Sequence, residues 1–235
     1  MPELTPSENW LYLEHGAAPA AWNMACDQWF LTNAKSFGKP ILRTYRWDCP
    51  SLSIGYFQAW PGELASRCAV VRRPTGGAMV YHGQDLTFTV VLPPRHPWRQ
   101  LPTLQRYQQI HQRIALLFKN RGDNARLSKT CQPAKNPLPP APIEACFAKS
   151  SRYDVTLHGL KVAGGAQRVT KDGLLHQGSI LAEGQPPVTP AEFLRTWETT
   201  GIRFAPISLT PSQLAAIQNL ASTRFSSREW NERIA

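Results

Sequence analysis

Apolar positions along the 235-residue chain switch between two periods, and the switches mark its elements. Over residues 20–35 they recur at helical spacing through Trp22, Ala25, Cys26, Trp29 and Phe30, which predicts an amphipathic helix with Cys26 in the core. A second helix is predicted from Leu104, Tyr107, Ile110, His111, Ile114, Leu117 and Phe118, ending near Gly122, with His111 on or beside its apolar face. Period two takes over elsewhere. Residues 10–13 read as a short opening strand, residues 41–47 as a strand with Ile41, Arg43, Tyr45 and Trp47 on one side, and residues 52–54 as a third. A short helix over residues 61–67 leads into VVRRPTGGAMVYHGQDLTFTVVL, residues 70–92. Residues 153–157, 161–169 and 174–181 form an antiparallel meander with turns at His158-Gly159 and Lys171-Asp172-Gly173. In its middle strand, strict alternation sets Lys161, Ala163, Gly165 and Gln167 on one face, so small side chains beside a lysine leave a groove. Thr189-Pro190-Ala191-Glu192 and Thr210-Pro211-Ser212-Gln213 read as capping boxes that open two C-terminal helices. The pattern predicts an α+β chain of one domain, residues 1–235, with a core over about 10–200 and a helical tail over about 205–235.

Composition narrows the class. Hydrophobic content of 42% and charged content of 18% are globular values. No apolar run approaches the roughly 20 residues that span a bilayer, and the N-terminus lacks a basic segment followed by an apolar one, so a cytoplasmic protein is expected. Five cysteines, an odd number without C-x-x-C spacing, argue against disulfides and a structural zinc site. The net charge of +10 implies an acidic partner. Its basic residues are dispersed, with no Lys/Arg tract or aromatic RNA-reading motif, so nucleic acid is not favoured. An acidic protein substrate accounts for the charge, as does a merely soluble basic surface.

Candidate chemistry converges on two glycine-rich stretches. Pro74-Thr75-Gly76-Gly77 forces a turn beside Arg72 and Arg73, and glycines without Cβ let a ligand lie against the main chain. The plain alternative is a β-hairpin whose glycines only satisfy its turn. Five prolines, Pro133, Pro137, Pro139, Pro140 and Pro142, make residues 128–146 a surface loop of the kind that often serves as a binding element. Cys146 at its exit is a candidate nucleophile, with a buried small hydrophobe as the alternative. Lys161 among small residues can donate to an acyl carbonyl and stabilise the oxyanion formed on attack, or be an ordinary solvated lysine at the start of a strand.

These residues carry a resemblance. Asn23-Met24-Ala25, Leu42-Arg43 with Trp47, Leu52-Ser53-Ile54-Gly55-Tyr56-Phe57-Gln58, RRPTGG with His82, Cys146-Phe147 and Lys161-Val162-Ala163-Gly164-Gly165-Ala166-Gln167 resemble the biotin/lipoate protein ligase superfamily, in its lipoate-ligase and octanoyltransferase branch. The likeness runs over about residues 10–181. It implies that family's fold, mixed and mostly antiparallel sheets packed with helices. It implies that Arg72, Arg73, Thr75, Gly76, Gly77, Ala78 and His82 line an acyl pocket, together with Ala163, Gly164, Gly165, Gln167 and Gly178. Lys161 is then the lysine that contacts the acyl carbonyl, and Cys146 the acyl-carrying nucleophile. The implied reaction moves octanoyl or lipoyl from acyl carrier protein or a lipoyl-type domain to a lysine of the glycine cleavage H protein or of another lipoyl domain, with no cofactor, metal or membrane. Two alternatives stand beside it: a lipoate-protein ligase that uses ATP and Mg to form acyl-AMP, and a non-catalytic acyl- or lipoyl-domain-binding protein. Three departures matter. Ala78 stands where the family varies, His176 falls one residue before the place where many relatives put histidine and so points the other way, and the chain leaves no room for the extra C-terminal domain of the larger ligases.

Overall fold

The computed structural model describes residues 8–130, 132–133, 149–181 and 184–233. Strand β1 (Glu8–Ala18) leads into helix α1 (Ala20–Phe37), which ends where Gly38 takes a left-handed φ of 64°. β2 (Ile41–Trp47), β3 (Ser51–Ile54), the helical turn α2 (Gly62–Ala65), β4 (Ala69–Arg72), β5 (Val80–His82) and β6 (Leu86–Leu92) follow. Next come α3 (Pro97–Gln100), α4 (Thr103–Asn120), β7 (Arg126–Leu127), β8 (Gln132–Pro133) and β9 (Lys149–Ser150). β10 (Val155–Leu157), β11 (Leu160–Val169) and β12 (Leu174–Ile180) form the expected meander. α5 (Pro190–Glu198), β13 (Ile202–Pro206), α6 (Pro211–Leu220), a π-helical turn (Ala221–Phe225) and α7 (Arg228–Asn231) complete the chain.

Eight strands form one sheet in the order β13-β1-β2-β6-β12-β11-β10-β7, parallel among the first three and antiparallel through the rest. This is the mixed, mostly antiparallel α+β arrangement that the sequence predicts. Helices cover both faces of its middle, and β2, β6 and β12 accordingly read as almost unbroken buried runs. On one face Leu42, Phe88, Val90 and Leu92 pack with Ile110 and Phe118 of α4 and with Phe193 and Trp197 of α5. On the other, Ile41, Tyr45, Val91 and Leu175 pack with Met24 and Phe30 of α1 and with Ile217, Phe225 and Trp230. Burying each of these large side chains contributes about 1.5–3 kcal/mol.

Both predicted capping boxes form, with Thr189 and Thr210 accepting from the backbone N–H groups of Glu192 and Gln213. His158 and Gly159 both take positive φ, 51° and 84°, the pair that a two-residue type I′ hairpin turn needs. β1 is longer than predicted because it pairs with β13 on one side and β2 on the other. Leu104, placed by periodicity on the apolar face of α4, is 46% exposed near that helix's start. α1 buries Asn23 and Asp27 as deeply as its apolar residues, since Arg43 is fully buried beneath it. Arg43 donates to Asp27 Oδ1 and to Asn23 Oδ1, each at 2.7 Å, and lies 3.9 Å over the Tyr45 ring.

Two local expectations fail. The hairpin alternative for residues 70–82 is not realised, because β3 lies between β4 and β5, parallel to the first and antiparallel to the second. Strict alternation along β11 is also broken. Val155 pairs with Ala163 but Thr156 pairs with Lys161, so Val162 is an extra residue, a β-bulge. Beyond it Ala163, Gly165 and Gln167 face α4, while Lys161 falls on the side of Gly164 and Ala166.

Candidate functional site

The bulge places Lys161 over a cavity of about 310 Å³ between the β11–β12 ribbon and the three-stranded sheet. A Cβ on Gly164 would stand 2.6 Å from Lys161 Cε and 2.8 Å from its Nζ, so a side chain there would displace the lysine. Lys161 lies across that bare backbone and bonds Asp154 Oδ2 at 2.8 Å. Asp154, 1% exposed, is held in turn. Its Oδ2 accepts from the Ser151 N–H at 2.7 Å, and its Oδ1 accepts from the Tyr107 hydroxyl. The Gly165 N–H donates to that same hydroxyl at 2.8 Å. Burial and the Asp154 charge push the Tyr107 phenol well above its ordinary pKa, so it stays a donor. An ammonium fixed by a carboxylate that is itself bonded twice more is a preorganised donor toward a developing oxyanion.

A second set of polar groups stands on the β5 side. His82 stacks on Trp47 at 4.0 Å and bonds Asp85 Oδ2 through Nδ1 at 2.8 Å. Burial would raise the Asp85 pKa, but the His82 contact and hydrogen bonds from Ser179 (2.7 Å) and Thr87 (2.8 Å) outweigh it, and the carboxyl is held below its ordinary value. An ionised Asp85 makes Nδ1 the donor. In the neutral ring Nε2 then accepts from the Ser53 hydroxyl at 2.8 Å. The floor is tied down similarly. Thr75 Oγ1 donates to Gln177 Oε1 at 2.8 Å, and Gln177 Nε2 donates to Asp27 Oδ2 at 2.7 Å, which joins the cavity to the buried Asp27–Arg43 pair.

The adjacent arginines part company. Arg73 folds beneath the glycine turn, donating through Nη2 to the Gly76 and Ala78 carbonyls at 2.6 and 2.7 Å and through Nη1 to the Ser53 carbonyl at 2.9 Å. Arg72 points away from the cavity. Fully buried, it donates to the carbonyls of Gly55, Tyr56 and Gln58 and to those of Trp230, Asn231 and Arg233. It clamps the C-terminal turn rather than meeting a ligand. The turn glycines have steric reasons: Gly77 takes φ 89°, and a Cβ on Gly55 would lie 2.0 Å from the Gly77 carbonyl oxygen.

Of the residues marked in the sequence, Arg73, Gly77, Ala78, His82, Lys161, Gly164, Gly165 and Gly178 line the cavity. Thr75 acts on it through Gln177, and Gly76 through its carbonyl on Arg73. Ala163 and Gln167 do not line it: the bulge turns Ala163 into the core, and Gln167 bonds His176 Nδ1 at 3.1 Å on the far face. His176 packs there against Tyr107, His111 and Phe88, and burial alone lowers its pKa to about 3. Cys146 lies outside the described residues. Sequence reasoning assigned no role to Asp154, Asp85, Tyr107 or Gln177. His-x-x-Asp spacing from His82 to Asp85 was a usable signal, whereas Asp154 alternates with Tyr153 and Val155 as an ordinary polar position and gave none.

The family described as the lipoyl protein ligase A/B catalytic domain matches residues 19–235. The chain belongs to this family. An octanoyltransferase LipM of Bacillus subtilis (strain 168) is 29% identical over an alignment covering 95% of this chain and 98% of the relative. One of Brevibacillus brevis (strain 47) is 30% identical, with coverage of 96% and 99%. Among solved structures, a lipoate-protein ligase A bound with ATP has the same fold, with a TM-score of 0.75 at 21% identity, covering 97% of this chain and 100% of that one.

Proposed function

We propose that this chain is an acyltransferase of protein lipoylation, moving an octanoyl group to a lysine of a lipoyl domain through a thioester on Cys146. The observation that carries the reading is the Tyr107–Asp154–Lys161 chain, which fixes an ammonium at the wall of a cavity lined by Met24, Val80, Ala78 and Ala166. Its family membership and the octanoyltransferase names of its relatives support the same chemistry. At about 310 Å³ the cavity is at the small end of ligand pockets, a size that favours one medium acyl chain over an acyl chain plus a nucleotide. Arg72 is committed to backbone carbonyls, which removes one of two arginines that a phosphate would need.

The Cys146 thiolate attacks the donor thioester carbonyl, Lys161 Nζ donates to the oxyanion, and the donor sulfur leaves as a thiolate when the tetrahedral species collapses. The amine of the acceptor lysine then attacks the Cys146 thioester. The new amide forms as the C–S bond breaks, and the amine's proton is lost as the cysteine thiol is regenerated. Neither step requires a cofactor or metal. Acyl carrier protein, or an already acylated lipoyl-type domain, is the donor, the glycine cleavage H protein or a dehydrogenase lipoyl domain is the acceptor, and the setting is the cytoplasm.

Incubating the purified chain with octanoyl carrier protein and no ATP should add one octanoyl mass, passed on when acceptor is supplied. Cys146→Ala should abolish both. Full activity in that variant, or transfer that requires ATP and releases pyrophosphate, would replace this reading with the ligase. Tight acyl binding without turnover on any acceptor would leave a binding protein.

A further inference from the structure

Arg168, Arg224 and Arg233 come together on two aromatic rings beside the cavity. The Arg168 guanidinium lies 4.7 Å over Tyr56, Arg233 lies 3.6 Å over Tyr56 and 4.3 Å over Trp230, and Arg224 lies 3.8 Å over Trp230. No carboxylate joins them: among the described residues, none of the three takes part in an ion pair. Arg168 donates to the Pro74 carbonyl at 3.0 Å and Arg233 to the Tyr56 carbonyl at 3.0 Å, and both also meet the Tyr56 phenol. Burial and the like charges of Arg168 and Arg233 lower the Arg224 pKa, against a partial offset from Tyr56, whose own phenol is held below its ordinary value by Arg233 and Arg168. Next to them Phe57 is 75% exposed, edge-on to Tyr56. Arginine with exposed aromatic side chains is the composition that anchors protein interfaces.

The cluster adjoins the site. Arg168 follows Ala166 by two residues of β11 and shares its face, about 7 Å along the strand. Its guanidinium holds Pro74, and the Tyr56 N–H donates to the Thr75 carbonyl at 2.8 Å, so both rest on the turn whose Gly77 and Ala78 line the cavity.

We infer that Arg168, Arg224 and Arg233, with Phe57 as an apolar anchor, form the docking surface for the acidic protein domain that presents the acceptor lysine. The inference rests on the transferase reading, which requires a protein lysine to reach this cavity. The aromatic stack holds the guanidiniums in place before the partner arrives, and the net charge of +10 steers it in.

The test uses the full chain, a small octanoyl thioester as donor and an acidic apo lipoyl domain as acceptor, comparing wild type with Arg224→Gln and with Phe57→Ser. Arg224→Gln should raise KM for the acceptor several-fold and lessen its salt dependence. Phe57→Ser should raise KM without changing the salt slope. Acylation of the enzyme by the small thioester should stay at the wild-type value. An unchanged acceptor KM with the salt slope intact would overturn the docking surface. So would acylation by the small thioester falling in parallel, which would make the cluster a structural support of the cavity. A wild-type chain that takes no octanoyl group would defeat the transferase reading before any variant is compared.

Discussion

The β11–β12 ribbon has two faces that treat polar groups in opposite ways. Toward the cavity, polar side chains are matched to charged or hydrogen-bonding partners: Lys161 to Asp154, Gln177 to Thr75 and Asp27, Ser179 to Asp85. Toward α4, His176 is enclosed beside His111, and its Nε2 has no hydrogen-bond partner among the described residues. Burial lowers both imidazole pKa values, that of His111 further through the nearby His176 and Lys161. One face is thus a scaffold whose geometry is set by directional bonds. The other is a packed interior that accepts histidine as an uncharged ring. The same strand supplies both because its side chains alternate, and one residue decides whether a polar group serves the site or fills the core.

The largest effect should come from breaking the scaffold at its charge. Asp154→Asn keeps the shape and the Tyr107 contact but removes the anion opposite Lys161, and kcat for octanoyl transfer should fall about 10²-fold or more. Steady-state kinetics decide it, and a near-normal kcat would show that Lys161 needs no carboxylate. On the packed face, a Cβ at Gly178 would meet the Phe88 ring at 2.3 Å. Gly178→Ala should therefore destabilise by about 3 kcal/mol in urea unfolding, and adding Phe88→Leu should restore part of the loss.

The enclosed imidazoles also set a pH dependence. In the unfolded chain they titrate near pH 6.5, whereas folding holds them neutral, so the unfolded state binds more protons below that value. Their stabilising contribution is complete above about pH 6.5 and is lost as pH falls. With its folded pKa near 3, His176 alone accounts for about 2 kcal/mol lost by pH 5. His176→Gln should flatten the urea midpoint across pH 7 to 5, and an unchanged slope would mean that the ring takes up its proton in the folded state. Asp85 acts in a lower window. Its depressed pKa adds stability above about pH 4 that is lost on further acidification. The smallest effect belongs to a single link of the scaffold. Thr75→Val removes the hydroxyl on Gln177 and should cost about 1 kcal/mol, read as a small drop in melting temperature.

What the sequence made legible follows from how local each signal is. The periodicity of α1 and α4, the Thr189 and Thr210 caps and the His158-Gly159 turn depend on neighbours within a few residues, and all are present. Alternation placed His176 away from the cavity for the right reason. It failed at Val162, where one additional residue reverses the facing of everything after it and separates Lys161 from Ala163 and Gln167. Arg72 and Arg73 are identical neighbours in sequence, yet partners more than 150 residues away draw Arg72 elsewhere, which no local pattern encodes. Asp154 was hidden for a similar reason. Its importance lies in Tyr107, which reaches it from α4, 47 residues earlier in the chain.

The Arg72 clamp also bears on synthesis. Carbonyls of residues 230, 231 and 233 complete its coordination, and the Trp230 indole returns a bond to the Arg72 carbonyl. A ribosome makes those residues after every other part of the pocket wall. A nascent chain halted before Trp230 should already protect its sheet amides from exchange while leaving the RRPTGG segment open to protease, and emergence of residues 230–233 should close it.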